Sequence, residues 1–242
     1  MVLNDDLQRF DELGYVVIPG LLSCQEAEAL YAAFERFPSV HRIRGGAIAR
    51  HNERTLLRDE RFFQALMKPA LIDSVRRILG DELQLIAYDS ADTLPRSGTH
   101  RNWHADMSFW SDAPLTVNVG IYLQDMTPEM GPLALLPGSH RWRRSPAEEE
   151  AAVEYAGEFE ARVPAGTAVM FDARLWHSAG RNESERHRRA LFPYFGHFWM
   201  KRAAELYPRE LPPLPEYITE RPDPLTRQLF GLGLREGVVS TL

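Results

Sequence analysis

The chain has 242 residues, 44% of them hydrophobic and 26% charged, a balance that suits a globular protein with a substantial core. A net charge of −6 gives no global field to draw it to nucleic acid or to an anionic membrane. Cys24 is the only cysteine, which excludes an intrachain disulfide and leaves any metal site to nitrogen and oxygen ligands.

The opening MVLNDDLQRFDELG is acidic and broken by charge, unlike a signal peptide. No apolar run approaches the ~18 residues of a membrane span, so the expected location is the cytoplasm. YVVIPG (15–20) reads as a short strand closed by a turn. Ser23 followed by Glu26 is a capping-box pattern that opens a helix through SCQEAEALYAAFERF, with Leu30, Phe34 and Phe37 at helical spacing. HRIRGGAIARHNERTLLRDER carries Arg42, Arg44, Arg50, Arg54 and Arg58 around a flexible Gly45-Gly46 and reads as a solvated surface. RFFQALMKPALIDSVRRILG is helical, interrupted or kinked at Pro69 and stopped at Gly80.

After Gly80 the character changes. LQLIAYDS, LTVNVGIYLQ, GPLALLPGS, FEARV, TAVMFD and RALFPYFGHF are short runs rich in β-branched and aromatic residues, punctuated by Gly, Pro, Asn and Asp. That is the pattern of a β-sandwich or barrel. In TVNVGIYLQ, Val117, Val119, Ile121 and Leu123 alternate with Asn118, Gly120 and Tyr122, giving one apolar face and one mixed face. SPAEEEAAVEYAGEFE is acidic and reads as a solvated loop or surface helix, and the proline-rich YPRELPPLPEYITERPDP as an extended tail or flap. No linker divides the chain. One domain over 1–242 is expected, with a mainly helical flank to residue 80, a β core over 81–200 and a C-terminal extension over 201–242.

The chemistry gathers around RNWHADMSFW (101–110). At a strand end, His104 and Asp106 stand two apart and project the same way, and an imidazole with a carboxylate suits Fe(II), Mn(II) or Zn(II). His177, in a loop beyond the apolar strand Thr167 to Asp172, is the best third ligand, placed to point into a barrel mouth. Two histidines and one carboxylate with open positions form the ligand set of non-haem Fe(II) oxygenases. Arg181, Arg186, Arg188 and Arg189 follow. If RRALFPYF is a strand, Arg188 and Arg189 face opposite ways, and an inward guanidinium needs a carboxylate to meet. Trp103, Met107, Phe109, Trp110, Trp176, His197 and Trp199 either line a pocket or fill the core.

WHAD (103–106), GPLALLPGSHR (131–141), His177 in WHSAGRN and RRAL (188–191) together resemble the phytanoyl-CoA dioxygenase family of Fe(II)- and 2-oxoglutarate-dependent oxygenases, which includes the ectoine hydroxylases. The resemblance spans roughly residues 83–198 and is weaker in the N-terminal helices. It implies a double-stranded β-helix (jelly roll, cupin-like) with helices outside it. It also implies that His104, Asp106 and His177 bind Fe(II), and that Arg188, by its spacing from His177, holds the distal carboxylate of 2-oxoglutarate. Tyr122 matches an aromatic position beside the co-substrate, and Trp110 a tryptophan kept near the iron in ectoine hydroxylases. Relatives use a basic residue near 42–58 to help hold the co-substrate, with Arg50 and Arg54 the candidates here. Ala179 departs from the pattern, standing where relatives often carry Ser, and His140 in PGSH reads as structural.

The resemblance thus implies O2-dependent hydroxylation of an unactivated C–H bond in a small-molecule metabolite, with release of succinate and CO2. Asp106 stands where related halogenases carry a small residue, which favours hydroxylation. A monomer or homodimer without nucleic-acid or membrane partners is expected. Two other readings compete. A non-catalytic jelly-roll metal-binding scaffold would not need Asp106, and a zinc-dependent hydrolase would want a general base near the metal and have no use for Arg188.

Overall fold

A computed structural model describes residues 4–37, 41–43, 47–98, 100–107, 109–203, 212–220 and 223–232. In chain order the elements are α1 (Asn4–Leu13), β1 (Tyr15–Ile18), α2 (Cys24–Ala33), β2 (His41–Ile43), β3 (Ile48–His51), α3 (Glu53–Leu56), α4 (Glu60–Leu66) and α5 (Pro69–Leu79). They continue with β4 (Leu83–Thr93), β5 (Thr116–Tyr122), β6 (Leu133–Leu135), β7 (Phe159–Glu160), β8 (Ala168–Asp172), β9 (His177–Ala179), β10 (Arg188–His197), α6 (Glu216–Thr219) and α7 (Pro224–Phe230).

Local rules account for the helices. The capping box of α2 is formed: Ser23 Oγ accepts from the Glu26 amide (3.2 Å) while Glu26 Oε2 accepts from the Ser23 amide (2.8 Å). Pro69 divides the second helical stretch in two, because it opens α5 at a position that needs no amide donor. Gly80 closes that helix with φ at 84°.

Seven antiparallel strands form the larger sheet in the order β1-β8-β5-β10-β4-β3-β2, and three form the smaller in the order β7-β6-β9. The period-2 alternation assigns the faces. Val117, Val119, Ile121, Met170 and Leu191 pack outward against the helices, while Tyr122, Val169, Phe171 and Ala190 pack inward with Leu133 and Leu135 of the small sheet. Two facing sheets with helices on one outer face make a jelly-roll core. A bulge bends the pair β4/β10: Tyr194 opposes Ala87 and Phe195 opposes Leu85, which leaves Ile86 as the extra residue.

Three expectations change. The first 80 residues are more than a helical flank, since β1 pairs with β8 and the β2/β3 hairpin extends the sheet from β4. Within the arginine-rich stretch Arg42 and Arg50 lie in strands and Arg54 in α3, with Arg50 and Arg58 exposed as a solvated surface would have them; Arg44, Gly45 and Gly46 lie outside the described residues. FEARV contributes two strand residues only. In the proline-rich segment, 207–211 and 221–222 lie outside the described residues, and the described part forms no flap. Ile218 of α6 and Leu229 and Phe230 of α7 are buried in the outer core, and Tyr217 donates to the Leu57 carbonyl at 2.6 Å. The acidic segment has one short 3-10 turn, Glu148–Glu150, and ends in β7, with loop between. Among the described residues no helix is long and apolar enough to cross a membrane.

Candidate active site

His104 and His177 come together through their backbones. They form an isolated antiparallel bridge, His104 N–H to His177 O at 3.0 Å and His177 N–H to His104 O at 2.9 Å. Residues paired in this way project side chains to one side, and the two ring centroids lie 4.2 Å apart. His177 therefore sits in a strand, not in the loop that the sequence suggested. His104 belongs to an extended segment rather than a regular strand end. Asp106, two residues on, is fixed by its amide bond to the Ala173 carbonyl (2.9 Å), just past β8.

The three side chains lie within 4.8 Å of one another, with Asp106 oxygens 3.8 Å from His104 Nε2 and 3.5 Å from His177 Nε2. Each ring is oriented by a carbonyl. His104 Nδ1 donates to Asn102 O and His177 Nδ1 to Leu175 O, both at 2.9 Å. A carbonyl only accepts, so Nδ1 carries a proton in both rings, and Nε2 is the atom left to face Asp106 or, in the neutral ring, to ligate an ion. Burial alone would raise the Asp106 carboxyl, but His177, the Asn118 amide (2.9 Å) and His104 outweigh it and hold it below the ordinary carboxylate range. For His177, burial works against the charged ring and the Asp106 carboxylate outweighs it, raising the pKa. Two oriented imidazoles and one ionised carboxylate could hold a divalent ion of the Fe, Mn or Zn type.

Arg188 and Tyr122 occupy the same inner face. Ala190 lies opposite Tyr122 in the β10/β5 register, and Arg188 is two residues before it. The Arg188 guanidinium donates through Nη1 to the carbonyls of Met130 (2.8 Å), Gly180 (2.9 Å) and Gly131, and through Nη2 to Thr93 Oγ1 (3.3 Å). Among the described residues no carboxylate pairs with it, and burial draws its pKa down to about 10. The Tyr122 hydroxyl is buried without a partner, and burial raises its pKa, so it stays a neutral donor. A buried cation that meets only neutral oxygens, beside an unsatisfied phenol, suits the carboxylate end of a small diacid. The residues present fit both the ion and 2-oxoglutarate.

These groups line one cavity with two lobes. The smaller, about 170 Å³, contains Arg188, Tyr122, Thr93 and His104. The larger, about 550 Å³, contains His104, Asp106, His177, Asn118, Asp89 and Tyr194. Arg50, Leu133, Ser178, Ala179 and Phe192 border both.

Alternation separates the two adjacent arginines. Arg189 turns to the outer layer, where it meets Glu35 at 2.5 Å, Asp92 at 3.3 Å and the Tyr31 ring at 4.5 Å. Arg54 faces Glu53 at 3.6 Å and does not line the cavity, whereas Arg50 does. Ala179 lines both lobes with no hydroxyl to offer.

Trp110 is half-buried and is not among the described residues lining either lobe. The chain beyond Asp106 is drawn elsewhere, because the Arg174 guanidinium, ion-paired with buried Asp172 at 2.6 Å, holds the Ser111 carbonyl. Trp103 and Trp176 fill a core with Ala134 and Leu136, their indole N–H groups donating to Val153 O (2.7 Å) and Arg144 O (2.9 Å). Phe109 and Trp199 are exposed. His140 is buried and donates through Nε2 to Asp11 O at 3.1 Å, a scaffold contact.

Sequence reasoning passed over Asn118 as the partner of Asp106, although its place on the mixed face with Tyr122 was a signal. It also passed over Asp89, the cradle carbonyls of Gly131 and Gly180, and Ser178, whose Oγ accepts from the Asn102 amide at 2.7 Å and steadies the His104 segment.

A jelly roll with such a ligand set beside a buried guanidinium belongs to the class of non-haem 2-oxoglutarate oxygenases. The model of the phytanoyl-CoA dioxygenase family matches residues 10–190, and the chain belongs to that family. An L-proline trans-4-hydroxylase from Streptomyces griseoviridis is 28% identical, over 78% of this chain and 84% of its own length. The dioxygenase af480 of Aspergillus fumigatus is 30% identical, over 96% of this chain and 78% of its own. The crystal structure of HygX from Streptomyces hygroscopicus with nickel and 2-oxoglutarate bound has the same fold, with a TM-score of 0.70 at 19% identity, over 83% of this chain and 89% of that one.

Proposed function

We propose that this protein is an Fe(II)- and 2-oxoglutarate-dependent dioxygenase, one domain across 1–242, that hydroxylates an unactivated C–H bond of a small-molecule metabolite and releases succinate and CO2. The observation that carries the reading is the pairing of two features in one cavity. His104, Asp106 and His177 converge on a point, and a half-buried arginine without a carboxylate partner among the described residues, Arg188, lies beside an unsatisfied phenol, Tyr122. The names of its relatives, an L-proline hydroxylase among them, support a small-molecule substrate.

His104 Nε2, His177 Nε2 and an Asp106 oxygen would hold the ion, and Asn118 fixes the carboxylate by its 2.9 Å hydrogen bond. Bound there, the iron with 2-oxoglutarate and O2 supplies the oxidising chemistry that inserts oxygen into a C–H bond. Arg188 pairs with the distal carboxylate of 2-oxoglutarate, and the Tyr122 hydroxyl donates to it. Phe171, Phe192 and Leu133 give the cavity apolar wall against which the target carbon would be oriented.

The experiment is an anaerobic titration with Fe(II) and 2-oxoglutarate. A weak visible charge-transfer band is expected, diminished in Arg188→Ala and lost in Asp106→Ala. Folded wild-type protein that gives no band overturns the reading.

A further inference from the structure

The larger lobe contains a second carboxylate, Asp89. It lies on the inner face of β4, two residues from Ala91, which lines the smaller lobe. Unlike Asp106, it has no hydrogen-bond or ion-pair partner among the described residues. Burial raises its pKa, with Arg50 opposing the shift and Glu53 adding to it. Arg50 lies opposite Ala91 in the β3/β4 register, on the same face as Asp89, yet stays at the exposed rim without pairing with it. Of the other polar groups of this lobe, Tyr194 Oη is engaged with Thr116 Oγ1 at 2.9 Å and the Asn118 amide nitrogen with Asp106.

Asp89 is half-buried, open to the lobe and without a partner, so its charge is left for something that enters the lobe to meet. On the proposed oxygenase reading, charge is already matched around the ion and the co-substrate, with Arg50 at the exposed rim. The two negative charges of 2-oxoglutarate and that of Asp106 are offset by the ion and Arg188. Asp89 is left facing the substrate half, among Ile86, Ala87 and Phe192. We propose that this lobe takes a small substrate carrying a protonated amine on an apolar body, the ammonium being received by the Asp89 carboxylate. The inference rests on the oxygenase reading and names the substrate class of that same cavity.

The test uses full-length protein loaded with Zn(II) and 2-oxoglutarate, which binds without turnover. It is titrated calorimetrically with matched probes: L-proline, L-leucine, L-lysine and putrescine, each against the form in which every amine is acetylated. At least one free amine should bind roughly tenfold or more tighter than its acetylated partner. Asp89→Asn should abolish that preference, Asp89→Glu should keep part of it, and 2-oxoglutarate affinity should stay within about twofold in both. Without ligand, Asp89→Asn should melt no lower than the wild type, because the half-buried carboxylate has no partner to lose. A lower melting temperature would mark Asp89 as a structural acid and overturn the proposal. So would acetylated probes that bind as well as the amines, a wild type that binds no amine, or a preference that survives in Asp89→Asn. A wild type that does not bind 2-oxoglutarate sinks the oxygenase reading and this inference with it; one that binds 2-oxoglutarate but no amine sinks this inference alone.

Discussion

Asn118 donates to Asp106 Oδ2 at 2.9 Å, while its own Oδ1 is buried with no partner. An amide held in so unfavourable a state is explained by the carboxylate it orients. With Oδ2 tied down, Oδ1 is left toward His104, 3.8 Å from Nε2. Supports of this kind commonly change metal affinity by about 10- to 100-fold when removed. Asn118→Ala is therefore expected to weaken Mn(II) binding by about that factor, read by electron paramagnetic resonance titration. The melting temperature should move little, since removing the amide also removes the orphaned oxygen. Unaltered Mn(II) affinity in the variant would show that Asp106 needs no such support. The alternation in TVNVGIYLQ already placed Asn118 beside Tyr122 on the mixed face. Its tie to Asp106 was hidden, because the two meet only when the 100–107 segment docks onto Ala173.

Two loops meet where Arg188 is held. A Cβ added to Gly131 would stand 2.3 Å from the Arg181 carbonyl oxygen, and one added to Gly180 would stand 2.9 Å from the Gly131 Cα. Gly131 also has φ at +62°, and both glycines present their carbonyls to Arg188 Nη1. Gly131→Ala must part these strands of backbone, at a cost of about 1–3 kcal/mol. It should lower the melting temperature by several degrees and weaken 2-oxoglutarate binding together. Gly157→Ala is the control: its φ is +82° with open space around it, so it should bear strain alone and leave 2-oxoglutarate affinity untouched. Equal effects of the two variants on that affinity would refute the cradle. The same contrast explains what could be read from the sequence. The capping box at Ser23, the break at Pro69 and the opposed faces of Arg188 and Arg189 are set within a few residues by rules of spacing. β9 looked like a loop because three residues, His, Ser and Ala, carry no strand periodicity and are ordered by pairing with β6. The β2/β3 hairpin was masked by arginines that an edge strand tolerates. A contact between two glycine backbones leaves only the glycines as its trace, and the register that puts Arg50 opposite Ala91 leaves none.

At the scale of the molecule, the proposed ligands would bind across both sheets. His177 comes from β9 of the small sheet and carries His104 on its bridge, while Asp106 is tied to Ala173 beyond β8. Arg188 and Tyr122 come from β10 and β5 of the large sheet. The outer face of that sheet is already closed by helices, so the inner cavity is where binding can add stability to the whole. A ligand at about 100 times its Kd stabilises the folded state by about 2.7 kcal/mol, roughly 5–10 °C for a chain of this size. Zn(II) should raise the melting temperature by an increment of that order, and 2-oxoglutarate by a second one that requires the metal. A chelator should remove both. In Arg188→Ala the metal increment should remain and the 2-oxoglutarate increment vanish, since His104, Asp106 and His177 do not depend on Arg188 for their positions. Scanning calorimetry of the four combinations separates the two contributions. A 2-oxoglutarate increment that appears without metal, or survives in Arg188→Ala, would place the co-substrate somewhere other than between these two sheets.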